Sequence, residues 1–243
     1  MLVAAAVCPC PPLLVPEVAA GAAPELDPLR TACSDAVAVL TAARPDRLVV
    51  IGPVREQAGQ GRYPQGAPGS FRGFGVDLAV RLGGGEADGG RELPPSLAVA
   101  AWLLERAGWA AAPVEGLGVP ESLAATDCAR LGWELAAGGD RLALLVMGDG
   151  SACRTLKAPG YLDERAAAFD AAAARALGAA DAAALAALDA ALAGELQAAG
   201  RAPWQVLAGA AEGEGRAGGA ALAGSLLHDE APYGVGYFVA AWS

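Results

Sequence analysis

The chain has 243 residues, of which 54% are hydrophobic and 5% aromatic, and its formal net charge is −10. This length fits one large domain or two small ones, and the apolar content is ample for a buried core. A net negative charge without basic clusters argues against nucleic-acid binding. Lys157 is the single lysine among many arginines, and alanine and glycine dominate, a pattern typical of a bacterial-type, high-GC composition.

The sequence predicts a cytoplasmic protein that does not bind membranes. The apolar start lacks a basic region and soon meets prolines, so we do not expect a secretory signal peptide. No uncharged apolar run reaches the roughly 20 residues of a membrane helix. Five cysteines, an odd and widely spread number, favour a reducing compartment over a disulfide scaffold.

The first fifty or so residues predict a strand–helix–strand unit. Residues 2–8 are apolar and form the first predicted strand. Residues 27–43 are predicted to be a helix with Asp27 as N-cap and Pro28 at its first position. Residues 47–51 are a second buried strand, and the whole has the length of one βαβ unit.

The remaining elements are predicted from apolar periodicity and from glycine and proline punctuation. In chain order they are a long loop 55–75, a half-buried strand 76–82, an exposed turn 83–92, a helix 94–107, a strand 110–114, a helix 121–137 with Trp133 on its apolar side, the clearest strand 141–147, helices 163–177, 181–199 and 203–211, a loop 212–219, and a final strand 233–242. Continuous apolar strands alternating with helices predict a single α/β domain over residues 1–243, with a mostly parallel central sheet flanked by helices.

Four segments of unusual sequence are expected to converge on one cleft. Ligands of open α/β sheets bind at the carboxyl ends of the strands. Three predicted strands end in residues 8–12, 51–54 and 147–153, which are rich in Cys, Pro or Gly. The tail segment 228–237 is the fourth. A turn that requires glycine accounts for Gly148-Asp-Gly-Ser better than a phosphate-binding nest does.

These segments, in this order, resemble the catalytic (B) subunits of class III extradiol ring-cleaving dioxygenases, a superfamily that also contains the Memo-like proteins. The resemblance covers nearly the whole chain, and its first and last motifs are the most specific. It is carried by Cys10-Pro-Pro-Leu-Leu-Val-Pro, Gly52-Pro-Val, Gly148-Asp-Gly-Ser-Ala, Pro159-Gly-Tyr, Phe169-Asp and Asp229-Glu-Ala-Pro-Tyr-Gly-Val-Gly-Tyr. It implies an extradiol dioxygenase B-subunit-like fold.

The resemblance also implies an iron site, most of whose residues this chain lacks. Family enzymes hold Fe(II) with two histidines and one glutamate, and a further histidine acts as acid and base. By position, Cys10 and Val54 replace the ligand histidines, Ala152 replaces the acid/base histidine, and Glu230 alone matches. His228 is the only histidine in the chain. We therefore expect the fold without the family's Fe(II) ring-cleaving activity.

Three interpretations of function stay open. The first is a pseudoenzyme, or a binder of a small-molecule ligand in the old cleft, with no cofactor. The second is a metal-dependent oxidoreductase or dioxygenase-type enzyme, with Cys10, Asp149 and Glu230 as catalytic candidates and zinc or iron held by Cys10, His228 and Glu230. The third is a scaffold or regulatory subunit, in a homo-oligomer or beside a partner subunit.

Several other residues have a functional and a purely structural interpretation. A Cys8–Cys10 redox pair is disfavoured by its spacing and by the intervening proline. Arg55, Arg62 and Arg72 border the 55–75 loop, either as anion-binding groups or as a solvated face. Trp204 is expected to pack in the core. The predicted pocket-lining residues are Pro11, Pro12, Val54, Ser151, Ala152, Cys153 and Tyr233.

Overall fold

The computed structural model describes residues 1–55, 59–85, 90–215 and 222–243. The strands in these ranges are β1 (Leu2–Cys8), β2 (Arg47–Val54), β3 (Gly61–Tyr63), β4 (Pro68–Ser70), β5 (Ala79–Arg81), β6 (Val114–Pro120), β7 (Leu142–Met147), β8 (Gly224–Glu230) and β9 (Tyr237–Trp242).

The helices pack on both faces of the sheet formed by most of these strands. They are α1 (Pro16–Ala19), α2 (Asp27–Ala42), α3 (Pro95–Arg106), α4 (Ala125–Ala136), α5 (Ala166–Gly178), α6 (Ala182–Ala186), α7 (Ala190–Glu195) and α8 (Arg201–Gly215). Short 3₁₀ turns occur at Pro12–Leu14, Ala20–Leu26 and Arg72–Phe74. None of the helices in the described ranges is long and apolar enough to cross a membrane.

Seven strands form one sheet in the order β3-β6-β2-β7-β1-β9-β8, and β4 pairs with β5 separately. The central strands β6, β2, β7 and β1 run parallel. The outer strands β3, β9 and β8 each run antiparallel to their inner neighbour. The predicted single α/β domain with a parallel sheet centre and flanking helices is therefore confirmed.

The central strands are apolar throughout because helices cover both faces of the sheet. Successive side chains of a strand point to opposite faces. Leu145 packs with helices α2 and α3 on one face, whereas Leu144 packs with α4 and α8 on the other. Trp204 is fully buried, and its ring lies 5.9 Å from that of Phe238. The prediction that Trp204 packs in the core is confirmed.

The predicted strand 110–114 and helix 121–137 are wrong at their boundaries. The strand is β6, which begins where the prediction ended, and the helix begins only at Ala125. β6 contains Gly116 and Gly118, which read locally as a loop. A Cβ at Gly118 would collide with the backbone carbonyl of Gly59, so the neighbouring chain requires glycine inside this strand.

The long predicted helix 181–199 is two short helices, α6 and α7. The carboxylate of Asp189 accepts hydrogen bonds from the backbone N–H groups of Ala191 and Leu192, and this N-cap starts α7. Helix α8 extends to Gly215, so residues 212–215 of the predicted loop are helical, and its residues 216–219 lie outside the described ranges. Trp133 is 53% exposed, so its predicted apolar placement is also wrong.

Several further elements differ from the predictions. The final strand begins at Tyr237, and the unpredicted edge strand β8 precedes it. The strand expected over 76–82 is reduced to β5, and the 55–75 loop contains β3 and β4, with residues 56–58 outside the described ranges. Residues 86–89 of the predicted turn also lie outside the described ranges. Asp27 is the first residue of α2, not its N-cap.

Candidate functional site

The carboxyl ends of the four parallel strands meet at one edge of the sheet, together with the start of β9 and the end of β8. After β1 and β2 the chain runs to helices α2 and α3 on one face. After β6 and β7 it runs to helices on the other face. Loops that diverge in this way open crevices between adjacent strands, and here the neighbouring pairs β6 and β2, β2 and β7, and β7 and β1 all diverge. The four segments predicted to converge do lie at this edge.

The loop after β7 is held by Asp170, a residue whose role the sequence did not reveal. Asp170 is 1% exposed. Its Oδ1 accepts from the backbone N–H of Ser151 at 2.8 Å, and its Oδ2 accepts from Arg154 Nη1 at 2.9 Å. In the sequence, Asp170 stood out only as part of the Phe169-Asp motif of the resemblance, with no role assigned to it. The buried ion pair therefore fixes the loop that carries Asp149.

The predicted pocket residues Ser151, Ala152 and Cys153 are buried and bound to the chain end of α7. The Ser151 hydroxyl donates to the carbonyl of Leu196 and accepts from the backbone N–H of Cys153. Ala152 donates its backbone N–H to the same carbonyl at 2.9 Å. These side chains support the loop from inside, and the prediction that they line a ligand pocket stays a prediction.

Asp149 and Cys10 are direct neighbours at this edge of the sheet. The backbone N–H of Cys10 donates to Asp149 Oδ1 at 2.8 Å. Removal of water by the surrounding protein raises the pKa of Asp149 to about 7; the hydrogen bond from Cys10 opposes this shift and nearby Glu121 adds to it. Burial, and then the charges of Asp149 and Glu121, raise the pKa of the Cys10 thiol well above its ordinary value. Cys10 is therefore a protonated thiol at neutral pH, without the lowered pKa of a nucleophilic cysteine.

Tyr237 and Tyr233 complete the buried side of this group. Burial and the charge of Asp149 raise the pKa of Tyr237. The Tyr233 hydroxyl donates to Glu25 Oε2 at 3.0 Å, which ties the predicted pocket residue to the segment before α2. Pro11 is buried, and Pro12 begins the 3₁₀ turn that follows β1. Tyr237 was part of the tail motif but was not named among the pocket residues, because its position depends on the pairing of β9 with β1.

Glu230 and His228 lie on the edge strand β8. Their side chains approach to 3.9 Å between Nε2 and Oε2, and Glu230 is 67% exposed. In the described ranges, no hydrogen bond or ion pair joins either residue to Cys10, and no three His, Cys, Asp or Glu side chains are grouped closely enough to hold a metal ion. The residues present do not fit the Fe(II) triad, since Val54 has no ligand atom. Zinc or iron bound by Cys10, His228 and Glu230 stays a prediction.

An open cleft of about 270 Å³ lies beside this group, lined by Arg55, Glu121, Ala193, Gly194, Gln197 and Ala198. Arg55 follows β2 and Glu121 follows β6. Arg55 Nε donates to Glu121 Oε1 at 3.3 Å, and the backbone N–H of Glu121 donates to the carbonyl of Val54 at 3.1 Å. The buried Arg201 donates to the carbonyls of Glu121 and Leu123 and so holds the same turn. Of these lining residues, only Arg55 was considered from the sequence.

The other two arginines that border the 55–75 loop, Arg62 and Arg72, are paired away from the cleft. Arg62 contacts Glu115 at 2.6 Å, and Arg72 contacts Asp77 at 2.7 Å. Neither lines the cleft. Arg62 and Arg72 therefore belong to a solvated, ion-paired face, whereas Arg55 lines the cleft.

Gln197 adopts a left-handed backbone conformation at the end of α7, with φ of 54°. The backbone N–H of Ala198 donates to the carbonyl of Ala193 at 2.8 Å, and that of Gln197 donates to the carbonyl of Gly194 at 3.2 Å. This pair of bonds is a Schellman motif, whose left-handed position is usually glycine. A glutamine there is strained, by roughly 1 kcal/mol relative to glycine.

Stability should depend on pH through Asp149. Its folded-state pKa is raised to about 7, from an ordinary value of 3.8. The folded protein therefore binds the proton more tightly than the unfolded chain, so this group favours folding at low pH and opposes it as pH rises through 7. Asp149→Asn keeps an acceptor for the Cys10 N–H but cannot ionise. We expect the free energy of unfolding of the variant, relative to that of the native chain, to increase by on the order of 2 kcal/mol from pH 5 to pH 8.

Urea unfolding of both proteins at the two pH values measures this difference. Comparing the native chain with the variant cancels the other titrating groups. A constant difference between pH 5 and pH 8 would contradict the raised pKa.

Comparisons with known proteins inform only the fold. No protein-family model matches the sequence, and the comparison with curated proteins gives no match. Among solved structures, the chain is similar to the crystal structure of the uncharacterized protein JW3007 from Escherichia coli K12, with a TM-score of 0.56 and 14% sequence identity over 99% of both chains. At this identity the likeness establishes a shared architecture over the whole chain, and nothing about activity.

Proposed function

We propose that this protein is a diverged relative of the extradiol dioxygenases that binds a small molecule in the strand-end cleft and lacks Fe(II) ring-cleaving activity. The observation that carries the proposal is the open cleft of about 270 Å³ beside Asp149, with Arg55, Glu121 and Gln197 on its walls. Small concave sites with a few polar groups at this edge of an α/β sheet are typical of ligand binding.

The chemistry of the neighbouring residues favours binding over catalysis. The Cys10 thiol is held protonated, so it is a poor nucleophile and a poor metal ligand without further activation. Asp149, with a pKa of about 7, exists in both protonation states at neutral pH and can donate or accept one hydrogen bond. Val54 and Ala152 are buried and contribute no polar side-chain atom.

Gly194 offers a direct test of the cleft. It is exposed on α7 and lines the cleft, and a Cβ built there meets nothing within 4 Å. Gly194→Phe should fill the cleft while α7 stays folded, whereas Gly194→Ala leaves it open and raises helix propensity. In a thermal-shift screen of small polar organic molecules, followed by calorimetry, we expect ligands that bind the native chain and Gly194→Ala but not Gly194→Phe.

Ligands that bind Gly194→Phe as well as they bind the native chain would place the site elsewhere and contradict the proposal. So would a complete absence of ligands in the screen.

A second measurement tests the absence of ring cleavage. After incubation with Fe(II), the protein should consume no oxygen with catechol or protocatechuate and form no ring-opened product. Oxygen uptake by the native chain that is lost in Cys10→Ala would overturn the proposal and favour the altered-site enzyme. Cys10→Ala should otherwise change only packing, since Cys10 is 8% exposed.

A further inference from the structure

We infer that the ligand of the cleft is a small organic acid whose carboxylate is bound by Arg55 and Gln197. This inference rests on the proposed function and deepens it, because it names the ligand class and the two residues that recognise it. Three features of the cleft carry it: the available edge of Arg55, the strained backbone of Gln197, and the charges of the acids nearby.

Arg55 lines the cleft with a largely exposed side chain. Its side chain is 73% exposed. Within the described ranges, its guanidinium group donates one hydrogen bond, from Nε to Glu121 Oε1. The two terminal nitrogens make no hydrogen bond within the described part of the chain. The planar fork of these nitrogens matches the two oxygens of a carboxylate.

Gln197 occupies a position where its backbone is strained. Glycine would complete the Schellman motif without this cost. The side chain is exposed and lines the cleft, its amide lies beside Gly160, and in the described ranges it makes no side-chain hydrogen bond. A strained backbone that no side-chain hydrogen bond offsets is a reason to propose a functional role for the residue. The amide N–H₂ of Gln197 supplies a second donor for an anionic oxygen.

The surrounding charge favours a carboxylate over a phosphate. Glu121 already pairs with Arg55, and Asp149 lies within electrostatic range of both residues. These acids would repel a doubly charged phosphate more strongly than a singly charged carboxylate. The volume of about 270 Å³ suits a compact acid, such as one carrying a single six-membered ring.

The test uses benzoate, nicotinate and hexanoate as probes, with benzamide as the neutral analogue and phenyl phosphate as the dianion. Affinities are measured by ligand-observed NMR for the native chain, Arg55→Ala, Arg55→Lys and Gln197→Gly. Arg72→Ala is the matched control, since Arg72 is an exposed, ion-paired arginine that does not line the cleft.

We expect at least one of the three acids to bind the native chain and the Arg72→Ala control equally. Its affinity should fall about tenfold or more in Arg55→Ala and Gln197→Gly, and less in Arg55→Lys, which keeps the charge but loses the fork. Gln197→Gly should also raise the urea midpoint of unfolding, because the strain is released while the side chain is lost. Weaker binding by a more stable protein would separate recognition from a merely structural role.

Several outcomes would overturn the inference: no acid binds at millimolar concentration, Gln197→Gly binds as well as the native chain, benzamide binds as well as benzoate, or phenyl phosphate binds more tightly than benzoate. These failures are distinct from failure of the proposed function. If other small molecules bind in a manner lost in Gly194→Phe, the cleft remains a binding site and only the carboxylate assignment falls.

Discussion

Replacing Asp170 with alanine should lower the free energy of unfolding by about 3 kcal/mol, the largest electrostatic effect we expect in this protein. The change removes the acceptor of the Ser151 N–H and the partner of Arg154, which lie 2.8 and 2.9 Å from the carboxylate. Breaking a buried ion pair typically costs about 3–5 kcal/mol, and the 29% exposure of Arg154 favours the lower end. Equilibrium urea unfolding measures the effect.

The conservative control is Asp170→Asn. Its amide oxygen can still accept from the Ser151 N–H, so only the ion pair is lost, and we expect roughly half the destabilisation of the alanine variant. The same carboxylate fixes the loop of Asp149. Both variants should therefore also lower the affinity for any ligand whose binding is lost in Gly194→Phe. Equal stability of Asp170→Ala and the native chain would show that the loop is held by its remaining hydrogen bonds alone.

Gly132→Ala should be at least as disruptive, at about 3 kcal/mol or more, although it adds a single methyl group. A Cβ at Gly132 would meet the carbonyl of Val206 and lie 2.6 Å from the backbone nitrogen of Ala210, on the facing helix α8. The neighbouring Gly209 of α8 is equally close to the backbone of Ala129 in α4. The two helices touch backbone to backbone, and no side-chain rotation can make room, so they must move apart.

Gly194→Ala is the matched control for this prediction. Both glycines are helical, but a Cβ at Gly194 meets nothing within 4 Å. Its replacement should therefore stabilise the protein slightly, by about 0.5–1 kcal/mol, through helix propensity alone. Thermal and urea unfolding of the pair separates close packing from propensity. If Gly132→Ala were also neutral or stabilising, α4 and α8 would not be in backbone contact.

The strand-end cleft has a paired arginine and a strained glutamine on its walls, and Asp149, whose pKa is raised to about 7, lies beside it. The Asp149 prediction adds a condition to the binding experiments: they are best made at two pH values, because the charge of the cleft changes as Asp149 loses its proton.

Local sequence determined the parallel centre of the sheet. Leu142–Met147 and Leu2–Cys8 are continuous apolar runs bounded by turn residues, and such runs are buried strands wherever helices cover both faces. The absence of a two-histidine metal site within one chain was also decided by sequence, because the chain contains a single histidine. The convergence of the strand ends followed from the α/β pattern alone.

Only the tertiary structure decided the outer strands and the cleft. β8 is an edge strand exposed on both faces, so no apolar alternation marks it, and β6 contains glycines whose reason is a neighbouring backbone. Arg55 and Glu121 are 66 residues apart, and Gln197 reaches them only because Asp189 divides a predicted helix in two. Periodicity reports what one segment buries, whereas a binding site is made where distant segments meet, and that meeting is set by packing across the whole sheet.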